Sequence, residues 1–231
     1  MKKFGLCTIL AMSAFCLLTA ASPLRAYADS VNMDFVGVGG ANSGGVYTYP
    51  YNFKINGGSE VQLMCVSYQQ EIQIPETWEA TITAIGTPIT SISTPTSSLS
   101  ITQEEEDAYL DSVILAPGAL AQTVSDAQWA AWEVGDPSLI FPGGLDDLGI
   151  AAEYAAAETF VGGHTLANDA SFYDGYQLYV PKPDSESPTT YGLPQTFIGP
   201  APVPEPSSLI LLGSGLLTAA GALYRRKRRT A

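Results

Sequence analysis

The sequence predicts an α+β fold: a β-rich sandwich or small barrel with a helical insertion, followed by a C-terminal single transmembrane helix. Segments with the two-residue alternation of half-buried strands fill residues 31–85. Between residues 101 and 160 the apolar residues instead have the spacing of a helix, and a strand-like pattern returns at 171–180. A final uncharged, largely apolar run at 207–224 is close to the minimum length for spanning a bilayer.

The strand-rich part of the body is recognised by alternation and by turn residues. The triplet Asn56-Gly57-Gly58 is a strong turn signal between two strands. A stretch rich in Ser and Thr at 86–100 is typical of a polar loop or an irregular edge strand. The predicted strands begin at Val31 and continue at 46–55, 60–68 and 77–85.

Three helices are expected in the insertion. Thr102 lies three residues before Glu105, which is a capping-box spacing, and Pro117-Gly118 ends the first helix. The predicted helices therefore run from 102 to about 116, from 125 or 126 to 135, and from 147 to 160.

Two acidic stretches stand at predicted helix starts. We expect Glu104–Asp107 to be a solvated first helical turn and Asp146-Asp147 to be a helix N-cap. Neither stretch has the spacing of an EF-hand loop. The sequence therefore predicts no metal site and no cofactor.

The two ends of the chain lie outside the predicted body. Residues 1–28 have the basic start, the apolar stretch and the small-residue cleavage site of a secretory signal peptide. The exported domain then spans 29–180, and the proline-rich stretch 181–206 is typical of an extended linker. Residues 207–231 combine the apolar helix with a basic end, Arg225–Arg229, which would stay in the cytoplasm.

Charge excludes one class of function. Eight of the ten basic residues lie in the signal peptide or beyond the apolar helix, so the exported region keeps only Lys54 and Lys182. All 23 acidic residues lie in that region, which gives it a formal charge of −21. No basic patch can form, so nucleic-acid binding is not expected.

The tail resembles the PEP-CTERM sorting signal. The triplet Pro204-Glu205-Pro206 is followed by the apolar run and then by the arginine-rich end. The resemblance implies an inner-membrane anchor through the C-terminal helix and processing by an exosortase-type protease. It also implies a final place at the cell surface or in the extracellular matrix.

Cys65 is the one cysteine left when the signal peptide, with Cys7 and Cys16, is removed. Such a thiol can be buried and inert, can form an intermolecular disulfide, or can act as a nucleophile. A papain-like nucleophile needs a base, and the candidates are His164 with Asn168 to orient it. The predicted strand around Cys65 lacks the helix-borne environment that lowers the pKa of a nucleophilic thiol.

A fourth interpretation pairs Cys65 with Gln128 in the segment AQWAAW. Gln128 and Trp132 are four residues apart and share a helix face. A thiolate can attack a side-chain amide carbonyl and expel ammonia, which gives an internal thioester where the groups are held together and water is excluded. Trp129 and Trp132 are the predicted sheltering residues.

These motifs resemble the thioester domains of bacterial surface adhesins. The strand Met64-Cys65-Val66 precedes a helix with apolar, Gln and Trp positions at 127, 128 and 132. The resemblance implies that Cys65 and Gln128 are cross-linked and that the domain mixes strands with helices. The body also resembles uncharacterised proteins that carry PEP-CTERM tails.

The sequence thus predicts an exported surface or matrix protein that is not an enzyme and has no catalytic residues. Its expected partner is an amine- or hydroxyl-bearing surface ligand or matrix polymer. One alternative is a non-covalent structural or interaction protein of the matrix with an inert Cys65. A hydrolase built on Cys65 and His164 is the third.

Overall fold

The computed structural model describes residues 30–39, 42–68, 72–87, 99–182, 194–200, 213–216 and 218. The predicted signal peptide, the Pro204-Glu205-Pro206 triplet and most of the predicted membrane segment lie outside these residues, as does most of the Ser/Thr-rich stretch. In the part of the chain that is described, no helix is both long and apolar enough to cross a membrane.

Six strands close into an antiparallel barrel, with the order β1-β4-β5-β8-β7-β6 around it. Two further strands, β2 and β3, form a separate short hairpin. Of the two predicted alternatives, a sandwich and a small barrel, the structure has the barrel. The strands are β1 Val31–Val38, β2 Asn42–Ser43, β3 Val46–Tyr47, β4 Tyr51–Ile55, β5 Glu60–Cys65, β6 Glu76–Ala84, β7 Tyr176–Pro181 and β8 Phe197–Pro200.

Aromatic side chains fill the interior of the barrel. Phe53 on β4 is fully buried, and its ring centroid lies 4.6 Å from that of Phe197 and 5.7 Å from that of Trp78. Both contacts are edge-to-face, which aromatic pairs prefer. Buried and exposed residues alternate along β1, β4 and β6, so every second side chain points inward and the barrel holds a packed core.

The predicted turn at Asn56-Gly57-Gly58 is confirmed and fixes the register of β5. Asn56 and Gly57 have φ angles of 51° and 69°, which the left-handed turn between paired strands requires. Tyr51 consequently lies opposite Leu63, and Cys65 lies opposite Phe197. Directly paired residues share a face of the sheet, so Cys65 lies on the face of the aromatic interior.

The helical insertion lies between β6 and β7. Its helices are α1 Ile101–Ile114, α2 Ala121–Gly135, α3 Asp147–Gly163 and the short α4 Ala170–Tyr173. Helix α1 packs against α2 and α3 on one side and against β5 and β8 on the other. It is therefore enclosed by the rest of the domain.

The helix starts differ from the predictions in two places. The capping box of α1 is formed by Ser100 and Gln103, two residues before the predicted Thr102–Glu105 pair. Helix α2 begins at Ala121, before the predicted start. The prediction for the third start is confirmed, because the Asp146 side chain accepts a hydrogen bond from Gly149 N at 3.1 Å.

The barrel continues beyond the predicted end of the domain. Strand β8 lies within 181–206, which proline content had assigned to a linker, and it pairs with both β5 and β7. Phe197 and Ile198 are fully buried, because this strand closes the barrel. The first part of the predicted strand 171–180 is helix α4, and β7 starts at Tyr176.

Candidate functional site

Cys65 is the last residue of β5, and its side chain has no exposed surface. It is a free cysteine, and its Sγ donates to the Ser67 carbonyl oxygen at 3.5 Å. A sulfur enclosed in this way cannot reach a second molecule in the folded state. The burial therefore argues against an intermolecular disulfide.

The segment before β8 holds the chain that follows Cys65. Val66 N donates to Thr196 O at 3.0 Å, and Thr196 N donates to Ser67 Oγ at 2.8 Å. Gln195 Nε2 also donates to the Ser67 carbonyl oxygen at 3.3 Å. These bonds extend the β5–β8 pairing past Cys65 and fix the position of its backbone.

Gln128 lies against Cys65. It is fully buried on α2, and its Nε2 donates to the Cys65 carbonyl oxygen at 2.6 Å. The other amide atom, Oε1, is buried and has no hydrogen-bond partner among the described residues. The structure therefore brings the two predicted residues together across 63 positions of sequence.

Aromatic rings cover this contact. Trp129 and Trp132 are almost completely buried and lie edge-to-face with centroids 4.8 Å apart. Tyr68 packs on both, at 5.3 Å from Trp129 and 5.1 Å from Trp132, and Phe141 contacts Trp129. The sequence predicted the two tryptophans but missed Tyr68, although it lies only three residues after Cys65.

The β2–β3 hairpin closes over Trp129 from the far side. A Cβ added at Gly44 would lie 2.8 Å from Trp129 Cζ2 and 3.3 Å from both Pro142 and Leu145. Gly44 also has a φ of 61°, in the left-handed region that favours glycine. The hairpin can approach the tryptophan this closely because this residue has no side chain.

The thiol is a poor free nucleophile in this setting. The pKa of Cys65 is raised to about 12, chiefly by burial and least by the charge of Asp107, while hydrogen bonds from Trp132 and Ser67 partly offset the rise. The indole Nε1 of Trp132 is buried beside the sulfur, where its N–H lowers the pKa of the thiol. It is thus available to donate to a thiolate that forms during a reaction.

The structure does not bring His164 to Cys65. The His164 ring is half exposed, with Nδ1 3.1 Å from Asp169 Oδ2 and its face stacked on Phe160. Asn168, the residue expected to orient the ring, instead donates through Nδ2 to the Gly163 carbonyl oxygen at 3.2 Å. The described contacts thus provide no base for a Cys65 hydrolase.

The acidic stretch Glu104–Asp107 is buried, so the prediction of a solvated helical turn is wrong. The physical reason is the enclosure of α1 by two helices and two strands. Asp111, one turn beyond Asp107, is also fully buried. Among the described residues, no group of three or more His, Cys, Asp or Glu side chains is placed to hold a metal ion.

Two of these acids, Asp107 and Asp111, differ from the others in lacking hydrogen bonds to the part of the chain that the structure describes. Both carboxyl oxygens of Asp107 and of Asp111 are buried without a hydrogen-bond partner among the described residues. Burial raises the pKa of each well above its usual value, and for Asp107 the charges of Glu106, Glu104 and Asp111 add to the rise. Burial therefore disfavours the charged form of both side chains.

Glu104 is buried on the same helix, but its carboxyl group accepts a backbone hydrogen bond. Its Oε2 accepts a hydrogen bond from Gly86 N at 2.6 Å. Burial raises the pKa of Glu104 to about 7, although the Gly86 bond lowers it and the charge of Glu105 raises it. Glu105 similarly accepts from Leu166 N at 2.5 Å, so these two acids tie α1 to neighbouring loops.

The tail matches the family model of the PEP-CTERM protein-sorting motif over residues 202–229. This match confirms the resemblance of the tail, and it implies export to the cell surface and processing by an exosortase. No curated protein matches the chain.

Two solved structures from Streptococcus pyogenes are similar to the chain at low identity. The N-terminal thioester domain of fibronectin-binding protein SfbI has a TM-score of 0.41 at 12% identity, covering 79% of this chain and 97% of that chain. The N-terminal domain of the pilus tip adhesin Cpa has a TM-score of 0.35 at 13% identity, with the same coverage. These values carry no argument about chemistry, which rests on the contacts of Cys65 and Gln128 themselves.

Proposed function

We propose that this exported protein is a covalent adhesin whose electrophile is an internal thioester between Cys65 and Gln128. The observation that carries the proposal is the 2.6 Å hydrogen bond from Gln128 Nε2 to the Cys65 carbonyl oxygen inside a fully buried site. This bond holds the Gln128 amide beside the buried cysteine, and an intramolecular reaction depends on such proximity.

The surroundings of the pair suit a stored electrophile. Thioester formation is unfavourable in water, and the rings of Trp129, Trp132 and Tyr68 exclude water from the contact. The exported region also has few amines that could consume the bond. It holds two lysines, and Lys182 is paired with Glu79 at 2.9 Å.

The proposed reaction with a partner occurs once. Once the covering rings move aside, an amine or a hydroxyl on a surface ligand or matrix polymer attacks the carbonyl carbon of Gln128 and releases the Cys65 thiol. The ligand remains bonded to Gln128, so the protein is consumed and is not an enzyme. Exosortase processing of the tail would place this event at the cell surface.

A second candidate is a non-covalent structural protein of the matrix. The observation in its favour is that burial raises the pKa of Cys65 to about 12, which suits an inert core thiol. The two candidates differ in whether one ammonia has left the folded protein.

Intact mass separates them. The purified protein is compared with Cys65→Ala and Gln128→Ala, and each variant shares the processing of the wild type. We expect the wild type to be lighter by one ammonia than its sequence requires, whereas both variants keep their full calculated mass. Gln122→Ala removes another glutamine of α2 and is the matched control, which should retain the deficit. A wild type of full mass that gains nothing from methylamine favours the non-covalent candidate.

A further inference from the structure

The β2–β3 hairpin lies outside the barrel and is joined to it at one point. The flanking strands β1 and β4 pair as far as Val38 and Tyr51, and beyond that pair Gly39 N donates to Pro50 O at 2.9 Å. Among the described strands, β2 and β3 pair only with each other. The hairpin can therefore turn about this point while the barrel stays closed.

The tip of the hairpin is the outer cover of the Cys65–Gln128 contact. Trp129 follows Gln128 on α2 and packs edge-to-face on Trp132, the residue beside the sulfur. A Cβ placed at Gly44 would lie only 2.8 Å from Trp129 Cζ2, so the hairpin backbone rests on this ring. Trp129 cannot move outward while the hairpin is in place.

Other sides of the contact are closed by elements of the core. Cys65 lies opposite Phe197, whose ring centroid is 4.6 Å from that of Phe53 inside the barrel. Helix α1 packs against α2 as well as against β5 and β8. Displacing either the barrel strands or this helix would expose buried apolar side chains.

Lifting the hairpin exposes much less apolar surface. Each of its strands has two residues, and none of residues 42–47 is buried. Val46 is the only partly buried apolar side chain within 42–47, and Tyr47 is 52% exposed. Two-stranded hairpins are marginally stable on their own, and local opening costs least where apolar contacts are few.

A tyrosine of the barrel holds the hairpin down. Tyr51 OH donates to the carbonyl oxygen of Tyr47, on β3, at 2.5 Å. Tyr51 itself is 4% exposed, lies opposite Leu63 on β5, and has its ring centroid 5.5 Å from that of Phe197. A fixed side chain of the barrel thus supplies one hydrogen bond that keeps the hairpin in its closed position.

We propose that the β2–β3 hairpin is a lid that opens before an external nucleophile reaches the Cys65–Gln128 thioester, and that the Tyr51 hydroxyl is its latch. The inference rests on the proposed function. Formation of the thioester is internal and proceeds under the closed lid, whereas capture of a ligand requires the lid to open. In that capture the amine nitrogen bonds to the Gln128 carbonyl carbon, the bond from that carbon to Sγ breaks, and the sulfur takes the proton that the nitrogen loses.

The test compares Tyr51→Phe with Tyr49→Phe in the full chain. Tyr51→Phe keeps the ring and removes the hydrogen bond to the hairpin. Tyr49 is a second buried tyrosine, whose hydroxyl donates at 3.0 Å to Gln62 Oε1 on β5, so Tyr49→Phe is the matched control. Intact mass follows the gain of methylamine with time. Loss of one hydrogen bond shifts an equilibrium about fivefold, so Tyr51→Phe should gain methylamine about five times faster, and Tyr49→Phe should react like the wild type.

The ammonia deficit distinguishes a latch from a residue that acts on the chemistry. Freshly purified Tyr51→Phe should carry the same deficit as the wild type, because the internal step needs no open lid. A Tyr51→Phe protein that keeps its ammonia while the wild type loses it would overturn the inference.

Circular dichroism establishes that each variant is folded, and Gly44→Ala with Gly45→Ala replaces the tyrosine pair if Tyr51→Phe is not. Both glycines have positive φ angles, 61° and 84°, but only a Cβ at Gly44 meets Trp129, so Gly44→Ala alone should gain methylamine faster. Equal rates in the wild type and the folded lid variant would overturn the inference alone, as would an equal rise in its control. A wild type that never loses ammonia would overturn the proposed function, and the inference with it.

Discussion

Asp111→Asn should stabilise the protein at neutral pH and not in acid. In the wild type, burial raises the pKa of Asp111 well above its usual value of 3.8, so the folded state keeps a proton that the unfolded chain has released. Wherever the folded state binds more protons than the unfolded state, the free energy of unfolding falls as pH rises. The stabilisation is complete below pH 3.8 and is lost between that value and the raised pKa.

The magnitude follows from the slope of this linkage. One group that is protonated only in the folded state changes the free energy of unfolding by about 1.4 kcal/mol per pH unit. Over any two pH units in which only the folded state holds the Asp111 proton, the wild type should therefore lose about 2.7 kcal/mol through Asp111 alone. This is a large part of the 5–15 kcal/mol that a domain typically has. An asparagine at this position has no proton to retain, so the variant gains the same amount relative to the wild type.

Urea unfolding at pH 4.5, 5.5 and 6.5 measures this effect, with the wild type as the reference at each pH. We expect the variant to approach the wild type in stability at pH 4.5 and to exceed it increasingly as pH rises. A difference between the two proteins that is the same at all three values would refute the reasoning, because it would show that Asp111 is not protonated selectively in the folded state.

Three further changes test the residues that cover the Cys65–Gln128 contact. Trp132→Phe keeps a smaller aromatic ring and removes the indole N–H near the sulfur. Loss of one hydrogen bond of about 1.4 kcal/mol should slow ammonia loss about tenfold in a time course of intact mass, and an unchanged rate would exclude a role for that donor. Tyr68→Ala uncovers both tryptophans and should speed hydrolysis, seen as the gain of one water, whereas Tyr68→Phe should not. Gly44→Ala places a Cβ against Trp129 in a left-handed backbone and should cost roughly 1–3 kcal/mol, read as a lower Tm. Gly45→Ala has no neighbour within 4 Å and should cost less, so equal losses would contradict the close approach.

The strands could be predicted where the signal is local. The alternation in β1, β4 and β6 and the Asn56-Gly57 turn are properties of neighbouring residues, and the structure confirms them. Strand β8 could not be found in the same way. It has four residues within a proline-rich stretch, and it is stabilised by pairing with β5 and β7, which are distant in sequence.

The contact between Cys65 and Gln128 could be predicted from the sequence, but the buried acids near it could not. Cys65 and Gln128 are chemically distinctive, and the spacing of Gln128 and Trp132 indicated a shared helix face. The burial of Asp107 depends on which elements enclose α1, and acidic residues near a helix start usually face water. Helical spacing offered one signal, since Asp107 and Asp111 lie on the face of Leu110, a fully buried residue.

The most direct test of the thioester is to find where methylamine is attached. Isotopically labelled methylamine is added to the folded protein, and the labelled residue is located by mass spectrometry of its peptides. We predict that the label is on the Gln128 side chain and that Cys65, which resists alkylation in the denatured untreated protein, is alkylated after methylamine treatment and denaturation. Absence of label from Gln128, together with a Cys65 that is alkylated in the denatured protein without methylamine, would contradict the account.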